Sequence, residues 1–159
     1  MTDAPITMRT FLVVVDDSDE MRAALHFACL RARKTGGRVA LLRVIEPMEV
    51  QHFLGVGELM REEARQEAEK LLHRMGSEVY EYSGQMPVLY VREGNLREQL
   101  MTLISDEPQM SILVLAAGTG SDGPGPLISA LACKHMNRLR IPMTIVPGGL
   151  SNEAIEQLA

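Results

Sequence analysis

The chain has 159 residues, of which 46% are hydrophobic, 23% charged and only 4% aromatic, and its net charge is −5. That length fits one domain, spanning 1–159, with a core large enough to fold without disulfide or metal staples. The acidic balance lacks the positive footprint of nucleic-acid and anionic-membrane binders, and no apolar run approaches the ~18 residues of a membrane-spanning helix. The first residues, Met-Thr-Asp-Ala-Pro, carry no basic stretch followed by an apolar one, so the expected location is the cytoplasm. Cys29 and Cys133 lie far apart and outside CxxC spacing, and read as two buried thiols in a reducing cytosol.

The first strand is Phe11-Leu-Val-Val-Val15, a continuous Val-rich run suited to a parallel strand buried on both faces. Asp16-Asp17-Ser18-Asp19-Glu20 follows, and is expected to supply the N-cap and acidic first turn of helix one. That helix carries Met21, Leu25, Ala28, Cys29 and Ala32 at helical spacing and stops at Gly36-Gly37. Strand two runs from Val39 to Ile45 and is closed by Glu46-Pro47. Met48 to Gly55 is apolar enough for a flap or an interface, though a plain connection suits it as well. A long charged helix follows, with Met60, Ala64, Ala68, Leu71, Leu72 and Met75 as its stripe and Glu62–Arg65 and Arg65–Glu69 as solvent-side pairs. Strand three is Val88–Val91, and Asn95-x-x-Glu98 caps helix three, which ends at Asp106-Glu107-Pro108. Strand four covers Ile112 to Ala117. A glycine loop then leads to helix four, carrying Ile128, Leu131, Ala132, His135 and Leu139, and strand five is Met143 to Val146.

Five strands alternating with four helices define an α/β fold, a single doubly wound domain with a parallel sheet and helices on both faces. Right-handed crossovers favour the order 3-2-1-4-5, whose switch point lies between strands one and four. Ligands bind beyond the carboxyl ends of strands at such a point. Asp16, Asp17 and Ser18 would therefore meet the loop holding Gly118, Gly120, Ser121, Gly123 and Gly125. Gly118-Thr-Gly-Ser-Asp-Gly123 spells G-x-G-x-x-G, but it follows the fourth strand, and the next strand ends in Pro147-Gly148-Gly149 instead of an acid. A dinucleotide-binding hydride-transfer domain is thereby disfavoured.

Val13-Val-Val-Asp-Asp-Ser18, Leu41-Leu-Arg-Val-Ile45, Val91-x-x-Gly94 and the run from Ser111 to Val146 together resemble the universal stress protein family over most of the chain. The resemblance implies an α/β sandwich, usually homodimeric, with a role in stress resistance. One branch of that family binds ATP or another adenine nucleotide; another does not. In binding members an Asp after strand one and a Val in strand two touch adenine or ribose, and Asp16 and Val44 match them. Their phosphate loop reads G-x2-G-x9-G-[ST]. Counting back from Pro142 puts Ser129-Ala130 at its final pair, so Ala130 lacks the hydroxyl, and no upstream glycine pair has the right spacing. Pro124 and Pro126 also remove two N–H donors.

Charge points the same way. Asp16, Asp17, Asp19, Glu20 and Asp122 all fall near the expected crevice, and no Lys or Arg occurs between Ile112 and Cys133. A triphosphate there would need Mg²⁺, the start of helix four, or Lys134 folding back. Helix capping accounts for the acidic run better than a dedicated metal site does. His26, His52, His73 and His135 show no ligand spacing, and there is no G-x-S-x-G elbow for Ser18, Ser121 or Ser129 to serve in a triad. With no positioned base or nucleophile, the expected function is non-catalytic: a binding or regulatory module with a small-ligand crevice and no certain cofactor, the alternative being an ATP/Mg sensor or slow ATPase. Strand five, last in the order and free of charge, is the expected homodimer edge.

Overall fold

The computed structural model describes residues 8–47 and 57–159. Its elements are β1 (Thr10–Val14), α1 (Met21–Thr35), β2 (Arg38–Ile45), α2 (Gly57–Ser83), β3 (Val88–Glu93), α3 (Leu96–Asp106), β4 (Met110–Ala117), α4 (Pro126–Cys133), a 3-10 turn (Met136–Arg138), β5 (Met143–Pro147) and α5 (Asn152–Leu158). The five strands form one sheet in the order β3-β2-β1-β4-β5, and every neighbouring pair is parallel. This is the order expected from the alternation of elements. The segment Met48 to Gly55, with His52, lies outside the described residues.

Two apolar cores flank the sheet because alternate residues of a strand point to opposite faces. Phe11, Val13 and Val15 pack with Val39 and Leu41 beneath α1, α2 and the buried Ile155 of α5. Leu12 and Val14 pack with Ala40, Leu42 and Val44 beneath α3 and α4. β1, in the middle of the sheet, is buried along its whole length, which is why its sequence is a run and not an alternation.

Helix ends are set by local chemistry. Asn95 Oδ1 accepts the Glu98 N–H at 3.1 Å and starts α3, as its spacing predicts. The carboxyl end of α3 is closed by Arg140, whose guanidinium donates to the carbonyls of Ile104 (3.2 Å) and Glu107 (2.9 Å). Gly36, at φ +69°, ends α1 in the left-handed conformation that glycine adopts without penalty.

Three expectations are corrected. The acidic run after β1 does supply the N-cap position of α1, Glu20, but without a side-chain hydrogen bond, and the expected acidic first turn is absent. Asp16 instead folds the turn locally, accepting from the Ser18 N–H at 2.8 Å and from the Ser18 hydroxyl. Second, α4 ends at Cys133. The N–H groups of Lys134 and His135 both donate to the Ala130 carbonyl, and the chain then bends into the 3-10 turn, leaving His135 and Leu139 outside the helix. Third, a fifth helix follows β5. Ser151 Oγ accepts from the Ala154 N–H at 3.1 Å, and Lys34 donates to the Ala159 carbonyl. Its short length hid it, because one buried residue, Ile155, gives no periodicity to read. Of the two pairs expected on α2, Arg65–Glu69 forms at 3.5 Å, while Glu62 accepts from Gln66.

Candidate functional site

A crevice opens beyond the carboxyl ends of β1 and β4, where the sheet order reverses. It has two chambers. The inner one, about 160 Å³, is walled by Val14, Met21, Ala24, Leu115 and Ile128, with Asp16 and Ser18 on one side and Pro124 to Leu127 on another. The outer one, about 500 Å³, is walled by Gly118, Thr119, Gly120, Asp122, Gly123 and Ser129. Glu20, Gly125 and Pro126 belong to both walls, so the chambers adjoin. The inner chamber is mainly apolar because Val14, Leu115 and Ile128 continue the core cluster beneath it. By itself it is smaller than the ~300 Å³ at which small-molecule pockets begin, and only with the outer chamber does the space reach that range.

The glycine loop is held by its own backbone. The Gly118 N–H donates to the Pro124 carbonyl at 3.0 Å, which closes the loop on itself and spends the first glycine's donor. Gly123 (φ +88°) and Gly125 (φ +113°) sit in backbone conformations that other residues rarely adopt, and they turn the chain into α4. Pro126 occupies the first turn of α4, where a missing N–H costs nothing. A first helical turn has no internal acceptors for its donors, so the N–H groups of Leu127 and Ile128, residues of the inner wall, have no acceptor within α4. A second close approach joins the loop to β5. The Gly148 N–H donates to the Ala117 carbonyl at 3.1 Å, and a Cβ on Gly148 would sit 2.4 Å from both that oxygen and Glu20 Cβ.

Of the residues the sequence singled out, Asp16 and Ser18 stand in the inner wall, Gly118, Gly120, Gly123 and Ser129 in the outer wall, and Gly125 in both. The other four stand apart. Asp17 is 87% exposed and reaches Arg43 at 3.8 Å. Val44 is buried in the core beneath α3 and α4. Ser121 is exposed at the loop tip, and neither it nor Ala130 walls either chamber. Ser129, one position before Ala130, is the hydroxyl that faces the outer chamber.

Glu20 is the residue whose place sequence reasoning undervalued. It was one acid in a run of capping candidates, yet its side chain lies beside Gly118, with Oε1 3.6 Å from where a Cβ on that glycine would be. No Lys or Arg faces it among the chamber walls. The one signal available was that it immediately precedes the apolar face of α1. Among the described residues, the chamber walls thus carry the carboxylates of Asp16, Glu20 and Asp122 and no Lys or Arg. Among the described residues no three His, Cys, Asp or Glu side chains are grouped to hold a metal ion.

The parallel 3-2-1-4-5 sheet, with helices on both faces and a crevice at its switch point, defines a doubly wound α/β fold. The sequence profile of the universal stress protein family matches residues 7–147. The chain belongs to the universal stress protein family. Solved structures agree on the fold. Universal stress protein UspA from Lactobacillus plantarum is 17% identical, with a TM-score of 0.70 over 87% of this chain and 97% of that one. A universal stress protein in complex with cAMP is 15% identical, with a TM-score of 0.59 over 89% and 98%. The universal stress protein from Archaeoglobus fulgidus in complex with dAMP is 16% identical, with a TM-score of 0.52 over 89% and 98%. No curated protein matches the chain significantly by sequence. Among the described residues, no helix is long and apolar enough to cross a membrane.

Proposed function

We propose that this protein is a non-catalytic regulatory module of the cytoplasmic stress response, acting as a homodimer, whose crevice takes an adenine-type ligand carrying little negative charge. The observation that carries this reading is the pairing of an apolar inner chamber with an outer chamber whose described walls hold carboxylates and no Lys or Arg. A flat base suits apolar walls with a few polar groups at the rim, and Asp16 is placed to accept hydrogen bonds from a ribose or an exocyclic amine. A phosphate chain in the outer chamber meets Glu20 and Asp122 at short range, and each added phosphate raises that cost. Support also comes from two proteins of like fold held with cAMP and with dAMP, ligands with a single phosphate group.

A second reading, an adenine-nucleotide sensor or slow ATPase using ATP with Mg²⁺, draws on the free N–H groups at the start of α4 and on Ser129 beside them. Melting curves with adenosine, AMP, cAMP and Mg-ATP separate the two. The proposed function requires the stabilisation to fall as phosphates are added, and to vanish in Asp16→Ala. Mg-ATP stabilising most, through Asp16, overturns it in favour of the second reading.

A further inference from the structure

Away from the crevice, a groove of about 580 Å³ runs between α3 and the bend that follows α4. One wall is the outer side of α3, where Arg97, Met101 and Ser105 recur on successive turns with Thr102 beside them, while Leu100, Leu103 and Ile104 face the core. The other wall is His135 and Arg138. This wall exists only because α4 stops at Cys133 and the 3-10 turn swings the chain back toward α3. Segments distant in sequence thus bring two arginines and a histidine to one groove, with Lys134 beside them.

These cations are not spent on the protein itself. Among the described residues, Arg97, Lys134 and Arg138 make no ion pair, whereas Arg22, Arg43, Arg61 and Arg65 each have a carboxylate partner. The His135 imidazole registers their convergence: its pKa lies below the ordinary value through partial burial, then through the charges of Arg97, Arg138 and Lys134. The carboxylates on the groove, Glu98 and Asp106, stand near the two ends of α3 and leave the stretch around His135 positive.

We propose that this groove is a second binding site, one for a small phosphorylated molecule. Arginines on opposite walls, with the Thr102 and Ser105 hydroxyls on the α3 wall, suit an oxyanion whose oxygens point in several directions; a carboxylate would need only one wall. Glu98 and Asp106 bound the site and exclude a long polyanion such as a nucleic acid, as does the net charge of −5. The site shares no wall with the crevice, so the proposal stands or falls independently of the adenine reading.

The test uses inorganic pyrophosphate as the probe and the His135 ring signal, assigned with His135→Gln, as the readout. Bound pyrophosphate offsets the surrounding positive charge, so the His135 titration midpoint should rise by at least ~0.5 pH. The rise should disappear in an Arg97→Gln, Arg138→Gln double variant whose other histidine signals are unchanged. Potassium chloride at matched ionic strength controls for screening. An unmoved midpoint, an equal rise with potassium chloride, or a rise that survives the double variant would overturn the proposal. Pyrophosphate shifting only Gly118–Gly125 amides would place the anion in the crevice and count against the groove.

Discussion

Glu20 illustrates how one side chain acquires a role from its neighbours. Gly148 passes close against its Cβ, leaving no room for a larger residue there, and its carboxylate lies beside Gly118 of the glycine loop. Glu20→Gln keeps the shape and removes the charge. AMP affinity should then rise roughly 3–10-fold, a modest gain because solvent screens charges at an open crevice; adenosine affinity should stay unchanged. Isothermal titration of both ligands checks this, and equal effects on the two would show that charge is not the discriminator. The two cysteines differ for a related reason. Burial, with a further push from Glu78, raises the Cys29 thiol from its ordinary 9.0 to about 12, while Cys133, expected to be buried as well, is exposed at the end of α4. At pH 8 a thiol reagent should label Cys133 and spare Cys29. A thiol whose folded pKa is raised contributes its full stability below the ordinary value. That contribution is therefore present up to about pH 9 and is lost as pH climbs toward 12.

At the scale of elements, the two ends of the sheet behave differently. β3 is the edge beside β2, and its outer end is tied to α2 through Arg61–Glu93 at 2.7 Å. β5 is the opposite edge, with Ile145 42% exposed and no charged side chain along it. An uncharged apolar edge invites pairing, and a second copy of the same strand about a two-fold axis would cover it. The proposed homodimer is tested by Thr144→Lys, which adds a charge at the edge without cutting into the core. Sedimentation should show the wild-type dimer become a monomer with its melting behaviour otherwise that of a folded domain; a wild-type monomer at micromolar concentration would refute the assembly. α5, which leaves β5 through Gly148-Gly149, packs its buried Ile155 on α1. Ile155→Ala should cost about 2–4 kcal/mol, the usual range for opening a cavity at a fully buried aliphatic site. Urea denaturation measures it, and a loss well under 1 kcal/mol would mean that α5 is only loosely docked.

Over the whole molecule, the sheet places two ligand-sized spaces in separate regions, a crevice at the switch point and a groove along α3. A ligand bound in the crevice stabilises the entire cooperative unit, because the inner chamber is built on the same core cluster that holds α3 and α4 to the sheet. At 1 mM ligand, a dissociation constant near 10 μM would add about 2.7 kcal/mol. For a domain of this size that raises the melting temperature by roughly 5–10 °C. Adenosine or cAMP should approach that figure and Mg-ATP should fall below about 1 °C. The reverse order would mean that the first turn of α4 outweighs the carboxylates.

Much of this architecture was legible in the chain itself. Alternating Val-rich runs and amphipathic stretches, with turn residues between them, specify the strands and their parallel order, because burial on both faces forces a continuous apolar run and crossover handedness leaves few arrangements. Asn95 and Gly36 announced their helix boundaries through local hydrogen bonding and backbone freedom, which depend only on adjacent residues. What the chain alone left open depends on contacts between distant segments. The loop's first N–H turns out to serve Pro124, Val44 is buried beneath α3 and α4, and Glu20 packs against Gly148 with its carboxylate beside Gly118. Helix four stops early and its tail turns to face α3, so His135 joins Arg97 across the groove. These outcomes follow from which backbone passes beside which side chain. That is a property of packing in three dimensions, with no periodic signature along the sequence.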